Sequence, residues 1–309
     1  MILEVAISGS TTKKINPAVP ETAAELADEA IKCLDAGATI VHAHTNKPSE
    51  NVAEAVQAYV DAFTPVRKKH PYAILYPTAN FNPAVYHKNR TVWPPEIQSG
   101  HYRPLAEAGL ANMILLDTGV VPLAVYDKNG LIPEKGFWWY GFWPGDNQIV
   151  IDTCNDFGCG TSISVFEPGW MKNVVAMARA GTLPRGSKLN IYFADYGFAG
   201  MAPPIPEALQ LYLHMIEGLD LKWSVGLVAH DIMDTPLARM ALERGGAVSA
   251  SGWRTGVAAR ATWSSLRGPK NSSTRSADPS SPGRKRSSSL IYRFRRRGPR
   301  PEVILVRIN

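Results

Sequence analysis

Short apolar runs rich in β-branched and aromatic residues alternate with longer segments of helical periodicity through the first 246 residues. The runs that predict strands are ILEVAIS (2–8), TIVHAHT (39–45), YAILYPT (72–78), ANMILLDTG (111–119), TSISVF (161–166), LNIYFADYG (189–197) and LKWSVGLVA (221–229). Apolar residues at helical spacing predict helices over 21–37, 52–63, 168–181, 205–217 and 233–245. This alternation is typical of parallel βα units. Seven such units predict an α/β fold of the (β/α)8 TIM-barrel type whose eighth unit is missing or scrambled.

A doubly wound parallel sheet is the main alternative to the barrel. The barrel is favoured because no Gly-x-Gly-x-x-Gly pattern follows the first predicted strand. In addition, polar residues gather at the carboxyl ends of the predicted strands, which is where a barrel builds its active site. These residues are Ser8, His44, Thr78, Asp117, Glu167 and Asp195.

Charge divides the chain into two parts. Of its 33 basic and 27 acidic residues, 14 and 2 lie in 247–309, so that segment carries +12 and residues 1–246 carry −6. We therefore expect an acidic, enzyme-like domain over 1–246. The segment 247–309 is rich in Ser and Arg and lacks apolar periodicity, so we expect a disordered basic tail.

The sequence also bounds the compartment in which the protein works. No signal-peptide pattern opens the sequence, and no apolar run approaches the roughly 20 residues that span a bilayer. Three cysteines form an odd set, which argues against a disulfide framework. We expect a soluble protein of the reducing cytoplasm that does not contact a membrane.

The segment 119–160 is longer than an ordinary βα connection and contains KGFWWYGFWPGDN (135–147). So many aromatic side chains are costly to leave in water, which predicts either a lid over the active site or a subunit contact. The second alternative favours a homo-oligomer.

Two histidines at the end of the second predicted strand suggest a metal site. Residues i and i+2 of a strand point to the same side, so His42 and His44 can bind one ion together. Imidazole nitrogen is a standard zinc ligand. The pair alone is weak evidence, because such histidines are more often packed or hydrogen-bonded than metallated.

Six strings at successive strand ends raise the weight of the metal hypothesis: AISGS (6–10), VHAHT (41–45), ILYPTAN (74–80), MILLDTG (113–119), ISVFEPG (163–169) and FADYGFAGM (193–201). In this order they resemble the β-keto acid cleavage enzymes, whose founding activity is 3-keto-5-aminohexanoate cleavage. The resemblance covers most of residues 2–246. It implies a TIM barrel with Zn²⁺ on His42 and His44, and it implies a β-keto acid and acetyl-CoA as substrates. The products would be acetoacetate and a new CoA thioester, formed by Claisen-type chemistry in an acyltransferase.

The same resemblance assigns two catalytic carboxylates. Glu167 matches the glutamate at the end of the family's fifth strand, and Asp117 falls where the family lines its pocket with polar groups. Each has a structural alternative. Asp117 stands before Gly119 and suits a turn, and Glu167 stands before Pro168 and suits a helix cap.

Substrate-binding residues are implied at Ser10, Thr11, Thr78, Asn80 and Thr118. Thr78 stands where the family places a hydroxyl near the substrate carboxylate, although it is also an ordinary β-branched strand residue. Ser10 and Thr11 replace a substrate-binding glutamate of some members, so the distal group of the substrate is expected to differ.

The third zinc ligand of the family is a glutamate on the eighth strand, in a string like Gly-Gly-x-x-Arg-Val-Gly-Leu-Glu-Asp. Here ALERGG is followed by AVSASGWRTGVAAR, which lacks that glutamate and the Arg-Asp pair. Codons for Ala250–Gly256 can be chosen so that a one-base shift reads Val-Gly-Leu-Glu-Asp-Trp. We therefore predict that the segment after about Gly246 is a frameshift product and that this chain is poorly stable and nearly inactive.

Two other functional classes remain open. A metal-dependent hydrolase would act without CoA. A genuine basic tail containing RFRRRGPR (293–300) could bind nucleic acid, but we regard a nucleic-acid partner as the weaker alternative because the tail replaces the closing strand.

Overall fold

The computed structural model describes residues 2–9, 12–14, 16–45, 48–81, 93–134, 137–228, 230, 232–248 and 304–306. Its strands are β1 (Ile2–Ala6), β2 (Ile40–Ala43), β3 (Ile74–Pro77), β4 (Met113–Asp117), β5 (Val120–Val125), β6 (Trp138–Gly141), β7 (Gly160–Val165), β8 (Lys188–Phe193), β9 (Phe198–Ala199), β10 (Lys222–Leu227), β11 (Ala247–Val248) and β12 (Ile304–Val306). Its α-helices are α1 (Ala23–Asp35), α2 (Val52–Lys69), α3 (Pro95–Gln98), α4 (Tyr102–Glu107), α5 (Pro144–Phe157), α6 (Pro168–Ala180), α7 (Pro206–Met215) and α8 (Pro236–Glu243).

Local sequence explains where the principal helices begin. Thr22 and Glu25 form a reciprocal capping box at the start of α1, and the side chain of Asn51 caps α2. Helices α5 to α8 begin with proline, which lacks the N–H that a first turn leaves unpaired. None of the helices in the described residues is both long and apolar enough to cross a membrane.

All seven predicted strands are present, and they form one large sheet of parallel strands with β11 and β12. The strand order is β3-β2-β1-β12-β11-β10-β8-β7-β4. Neighbouring strands are parallel except at β12, which runs antiparallel to both β1 and β11. The prediction of an α/β fold with a parallel sheet is therefore confirmed.

The two outer strands of the large sheet, β3 and β4, lie beside each other. The N–H of Asn112, just before β4, donates to the Leu75 carbonyl at 3.2 Å. The Leu75 N–H in turn donates to Asn112 Oδ1 at 2.8 Å. The first and last strands of the sheet order are therefore in contact at this point.

Polar side chains also connect strands that are not neighbours in the sheet order. The Lys188 Nζ of β8 lies 2.6 Å from a Glu4 carboxylate oxygen on β1. The Tyr76 hydroxyl of β3 donates to the other Glu4 oxygen at 2.5 Å. Glu4, Tyr76 and Lys188 are buried, so strands that are distant in the sheet order make direct contact.

The eighth βα unit was predicted to be missing or scrambled, and two short strands lie between β10 and β1. β11 pairs in parallel with β10, and β12 lies antiparallel between β11 and β1. These two strands belong to the segment 247–309, for which we predicted disorder. The rest of that segment lies outside the described residues, and for it the prediction stands as made.

Strands β5 and β6 of the long segment 119–160 form a small sheet with β9, called here the accessory sheet, and α5 follows β6 in the same segment. Strand β5 pairs antiparallel with β6 on one side and with β9 on the other. Large apolar side chains on and beside this sheet are exposed, among them Val120, Val125, Trp139 and Trp143.

Candidate metal centre and surrounding pocket

His42 and His44 lie together at the carboxyl end of β2, as their spacing predicted. Their Nε2 atoms are 3.0 Å apart. His42 lies opposite Tyr76 in the β2–β3 pair, and the backbone of His44 is fixed by Ser8. The Ser8 hydroxyl accepts from the His44 N–H at 2.8 Å and donates to the His44 carbonyl at 3.1 Å.

Both imidazoles are neutral near pH 7. Burial lowers the pKa of His42 to about 3 and lowers the pKa of His44 well below its ordinary value, with a further contribution from His42. The Nδ1 of His42 lies 3.2 Å from the Tyr76 carbonyl oxygen, which can only accept. Nδ1 therefore carries the proton, and Nε2 keeps its lone pair.

This arrangement suits a zinc ion. Two nitrogens bound to one tetrahedral zinc at its usual bond length lie about 3.3 Å apart, which is close to the separation of the two Nε2 atoms. A metal-bound histidine normally donates its other ring N–H to a carbonyl or carboxylate, and His42 does so. Within the described ranges, however, no cluster of three or more His, Cys, Asp or Glu could hold a metal ion. The described residues there offer two nitrogen donors, those of His42 and His44, to such an ion.

Asp117 ends β4 and is buried. Burial raises the pKa of its carboxyl to about 6, against the lowering effect of the hydrogen bonds that it accepts. The Tyr140 hydroxyl of β6 donates to Asp117 Oδ2 at 2.5 Å, and the Ser164 N–H donates to Oδ1 at 3.3 Å. Asp117 therefore joins the accessory sheet to the large sheet, which is more than the turn role considered as its alternative.

Glu167 occupies the N-cap position of α6, but its side chain makes no capping hydrogen bond. Glu167 thus stands at the position that the capping alternative assigned to it, but it does not cap the helix through a side-chain hydrogen bond. The carboxyl is half-buried, and burial raises its pKa. Glu167 follows the carboxyl end of β7, so its catalytic role stays a prediction.

The predicted substrate-binding residues differ in what they do. Thr78 is half-buried at the end of β3, and its carbonyl accepts from His101 Nε2 at 2.8 Å. The Thr118 hydroxyl donates to the Trp170 carbonyl at 3.0 Å. The Asn80 amide donates to the carbonyls of Ser49 and Ile97 at 2.7 and 3.0 Å.

The side chains of Asn80 and Thr118 thus bind backbone carbonyl groups of neighbouring segments. Ser10 and Thr11 lie outside the described residues. The substrate-binding role of all five stays a prediction.

Sequence reasoning missed three features of this region: Tyr76 beside His42, Tyr140 on Asp117, and the pair of Asp195 with His230. The Asp195 Oδ2 and His230 Nε2 atoms are 2.5 Å apart, at the ends of neighbouring strands β8 and β10. Only Asp195 carried a signal, because it ends a predicted strand. A lone tyrosine in a strand or loop resembles an ordinary apolar residue.

Comparison with known proteins adds a family to this geometry. The profile of the beta-keto acid cleavage enzyme family matches residues 1–256. A 3-oxoadipate:acetyl-CoA acetyltransferase of Cupriavidus necator is 26% identical over 250 residues, which is 79% of this chain and 76% of that protein. A 3-keto-5-aminohexanoate cleavage enzyme of Fusobacterium nucleatum is 34% identical over 79 residues, which is 25% of this chain and 29% of that enzyme.

Solved structures show the likeness of fold. A ternary complex of ObcA with a C4-CoA adduct and oxalate superposes with a TM-score of 0.54 at 18% identity, over 78% of this chain and 58% of that one. Apo ObcA gives a TM-score of 0.53 at 16% identity, over 77% and 56% of the two chains. This chain thus spans little more than half the length of the ObcA structures.

Proposed function

The chain belongs to the β-keto acid cleavage enzyme family, an acyltransferase-type group of enzymes, and from this premise we propose that its substrates are a β-keto acid and acetyl-CoA. The products are acetoacetate and a new acyl-CoA. The observation that carries the proposal is the His42–His44 pair, with neutral rings and Nε2 atoms 3.0 Å apart, at the carboxyl end of β2.

His42 and His44 would hold the zinc ion that the family implies. When bound, zinc supplies a Lewis acid that polarises the keto acid and stabilises developing enolate charge. The Thr78 hydroxyl orients the substrate carboxylate. Glu167 accepts a proton on its carboxylate, a role favoured by its raised pKa and by the absence of a capping bond. Asp117 holds Tyr140 and so keeps the accessory sheet against the strand ends, where it excludes water.

A closed barrel is the fold that best supports this chemistry. The contacts of Asn112 with Leu75, at the meeting of β3 and β4, and of Glu4 with Lys188 across the interior both support closure. Closure brings the carboxyl ends of all the parallel strands around one pocket.

We propose that the altered eighth βα unit impairs the activity of this chain. Two imidazoles without a third protein ligand bind zinc more weakly than the complete set of a catalytic site. The coding DNA across Arg244 to Thr255 tests the frameshift hypothesis directly. A one-base difference that restores Gly-Leu-Glu-Asp supports it, and an unchanged reading refutes it.

The assay for the proposed function incubates the zinc-loaded protein with a panel of β-keto acids, with and without acetyl-CoA. Mass spectrometry then measures acetoacetate and new CoA thioesters. We expect slow, CoA-dependent formation of both products, lost in His42→Ala. Product formed equally without CoA would instead identify a metal-dependent hydrolase. Turnover at ordinary enzymatic rates would refute the proposed impairment.

Assembly is proposed for the accessory sheet. Its exposed Val120, Val125, Trp139 and Trp143 would be shielded from water by a second copy of the chain, giving a homo-oligomer. A sedimentation experiment tests this, and a monomer at every concentration would refute it. Buried free thiols at Cys33, Cys154 and Cys159 support the predicted cytoplasmic location.

A further inference from the structure

Tyr76 contacts His42 in two ways. Its ring lies nearly parallel to the imidazole, with centroids 4.2 Å apart and an interplanar angle of 23°. Its carbonyl oxygen accepts the Nδ1 proton of His42 at 3.2 Å. The side chain of Tyr76 therefore sets the plane of the imidazole, while its backbone fixes which nitrogen keeps the lone pair.

Tyr76 is itself held by buried polar groups, which we call the interior network: Glu4, Ser162, Lys188 and Asn190. The Tyr76 hydroxyl donates to Glu4 at 2.5 Å and accepts from the Ser162 hydroxyl at 3.3 Å. Lys188 lies 2.6 Å from Glu4 and donates to Asn190 Oδ1 at 3.1 Å. Asn190 donates to Ser162 at 2.9 Å, which completes a ring of contacts.

Burying the charged and polar groups of the interior network costs free energy. Glu4 is 1% exposed and Lys188 is 8% exposed, and a buried ion pair is often no more stabilising than apolar residues of the same volume. Its polar groups do, however, fix the tilt of one tyrosine ring from several directions. That ring covers the face of His42.

We propose that Tyr76, anchored by Glu4 and Ser162, is the positioning residue that aims His42 Nε2 at the metal position shared with His44. This inference rests on the metal centre of the proposed function and adds a residue to it. Tyr76 acts through His42, because its hydroxyl is engaged with the interior network. Hydrogen-bonded partners that orient metal ligands commonly change metal affinity by about 10–100-fold, and we expect a stacked ring that orients His42 to have a comparable effect.

Zinc affinity and a cobalt spectrum test the inference without relying on turnover. Tyr76→Leu removes the stacked ring, and Tyr76→Phe keeps the ring but cuts its bond to Glu4; both keep the backbone carbonyl. Tyr212→Leu is the matched control, since Tyr212 is also buried and its ring packs on Phe193 of β8, with centroids 5.8 Å apart, rather than on a residue of β2. Competition with a chromogenic chelator measures the zinc dissociation constant, and Co²⁺ absorption reports the ligand geometry.

We expect Tyr76→Leu to bind zinc at least 10-fold more weakly than the wild-type protein and to alter the Co²⁺ spectrum. The zinc affinity of Tyr76→Phe should lie between those of Tyr76→Leu and the wild-type protein. Tyr212→Leu should match the wild-type protein in both zinc affinity and Co²⁺ spectrum. Wild-type affinity in a folded Tyr76→Leu protein would overturn the inference while leaving the metal centre intact, as would equal losses in the Tyr76→Leu and Tyr212→Leu proteins. A wild-type protein that binds no zinc, or a His42→Ala protein that binds zinc normally, would overturn the metal centre and this inference with it.

Discussion

The substitution His101→Gln should make the free energy of unfolding fall less steeply as the pH is lowered below about 6.5. His101 is fully buried, and its Nε2–H donates to the Thr78 carbonyl at 2.8 Å. Its Nδ1 is buried without a hydrogen-bond partner. Burial lowers the pKa of His101 from 6.5 to about 4, although the bond to Thr78 partly offsets the effect.

The sign of the effect follows from proton binding. Between pH 6.5 and 4 the unfolded chain takes up a proton at His101 that the folded chain refuses, so the free energy of unfolding falls as the pH falls. One pKa unit corresponds to about 1.4 kcal/mol, so this one residue removes about 3 kcal/mol of stability by pH 4. A glutamine side chain can still donate to Thr78 but takes up no proton in this range.

Urea unfolding of both proteins from pH 7.5 to 4.5 measures the effect. His101→Gln should be less stable at pH 7.5, because it loses the ring contacts with Tyr59 and Tyr102. The difference between the two proteins should then narrow by about 2 kcal/mol from pH 6.5 to pH 5. His214→Gln, at an exposed site on α7, serves as the control. Parallel stability curves for wild type and His101→Gln would refute the reasoning.

Three further substitutions probe other parts of the fold. Glu4→Gln should cost about 3–5 kcal/mol of unfolding free energy, because it leaves Lys188 as an uncompensated buried charge. Adding Lys188→Met should recover much of that loss. Urea unfolding would contradict this if the loss in the double variant equalled the sum of the losses in the two single variants. Gly119→Ala should lower the melting temperature sharply, since its Cβ would lie 2.3 Å from Trp170 Nε1; an unchanged midpoint in a thermal scan would contradict that packing. As the pH rises from about 4 to 6, the wild-type protein should lose about 3 kcal/mol of unfolding free energy, because the raised pKa keeps the folded Asp117 carboxyl protonated where the unfolded one ionises. Asp117→Asn should not show this loss. Urea unfolding would contradict this if the unfolding free energies of the two proteins changed equally with pH over that range.

The parallel strands were predictable because their signal is local. β4 is buried at every position from Met113 to Asp117, and its run of apolar residues appears in the sequence as such. The positions of His44, Thr78 and Asp117 at strand ends followed from the same pattern, and the closeness of His42 to His44 followed from the two-residue period of a strand.

Features that depend on distant partners were not predictable. Glu4 in the first strand resembles an ordinary surface charge until Lys188 of β8 is placed against it. The position of Tyr140 on Asp117 depends on how the hairpin of β5 and β6 folds back. The antiparallel pairing of β12 also had no local signal, because backbone ladders form in either direction.

The Glu4–Lys188 ion pair also affects when β1 can be buried while the chain is being synthesised. Glu4 and Lys188 lie 184 positions apart, and at about 5–20 residues per second a ribosome needs about 10–40 s to make the second after the first. Through that interval the Glu4 carboxylate lacks its cationic partner, and burying it alone would be costly, so we expect β1 to be buried late during synthesis. A full-length chain diluted from denaturant has both partners from the start, and its β1 can be buried without that delay.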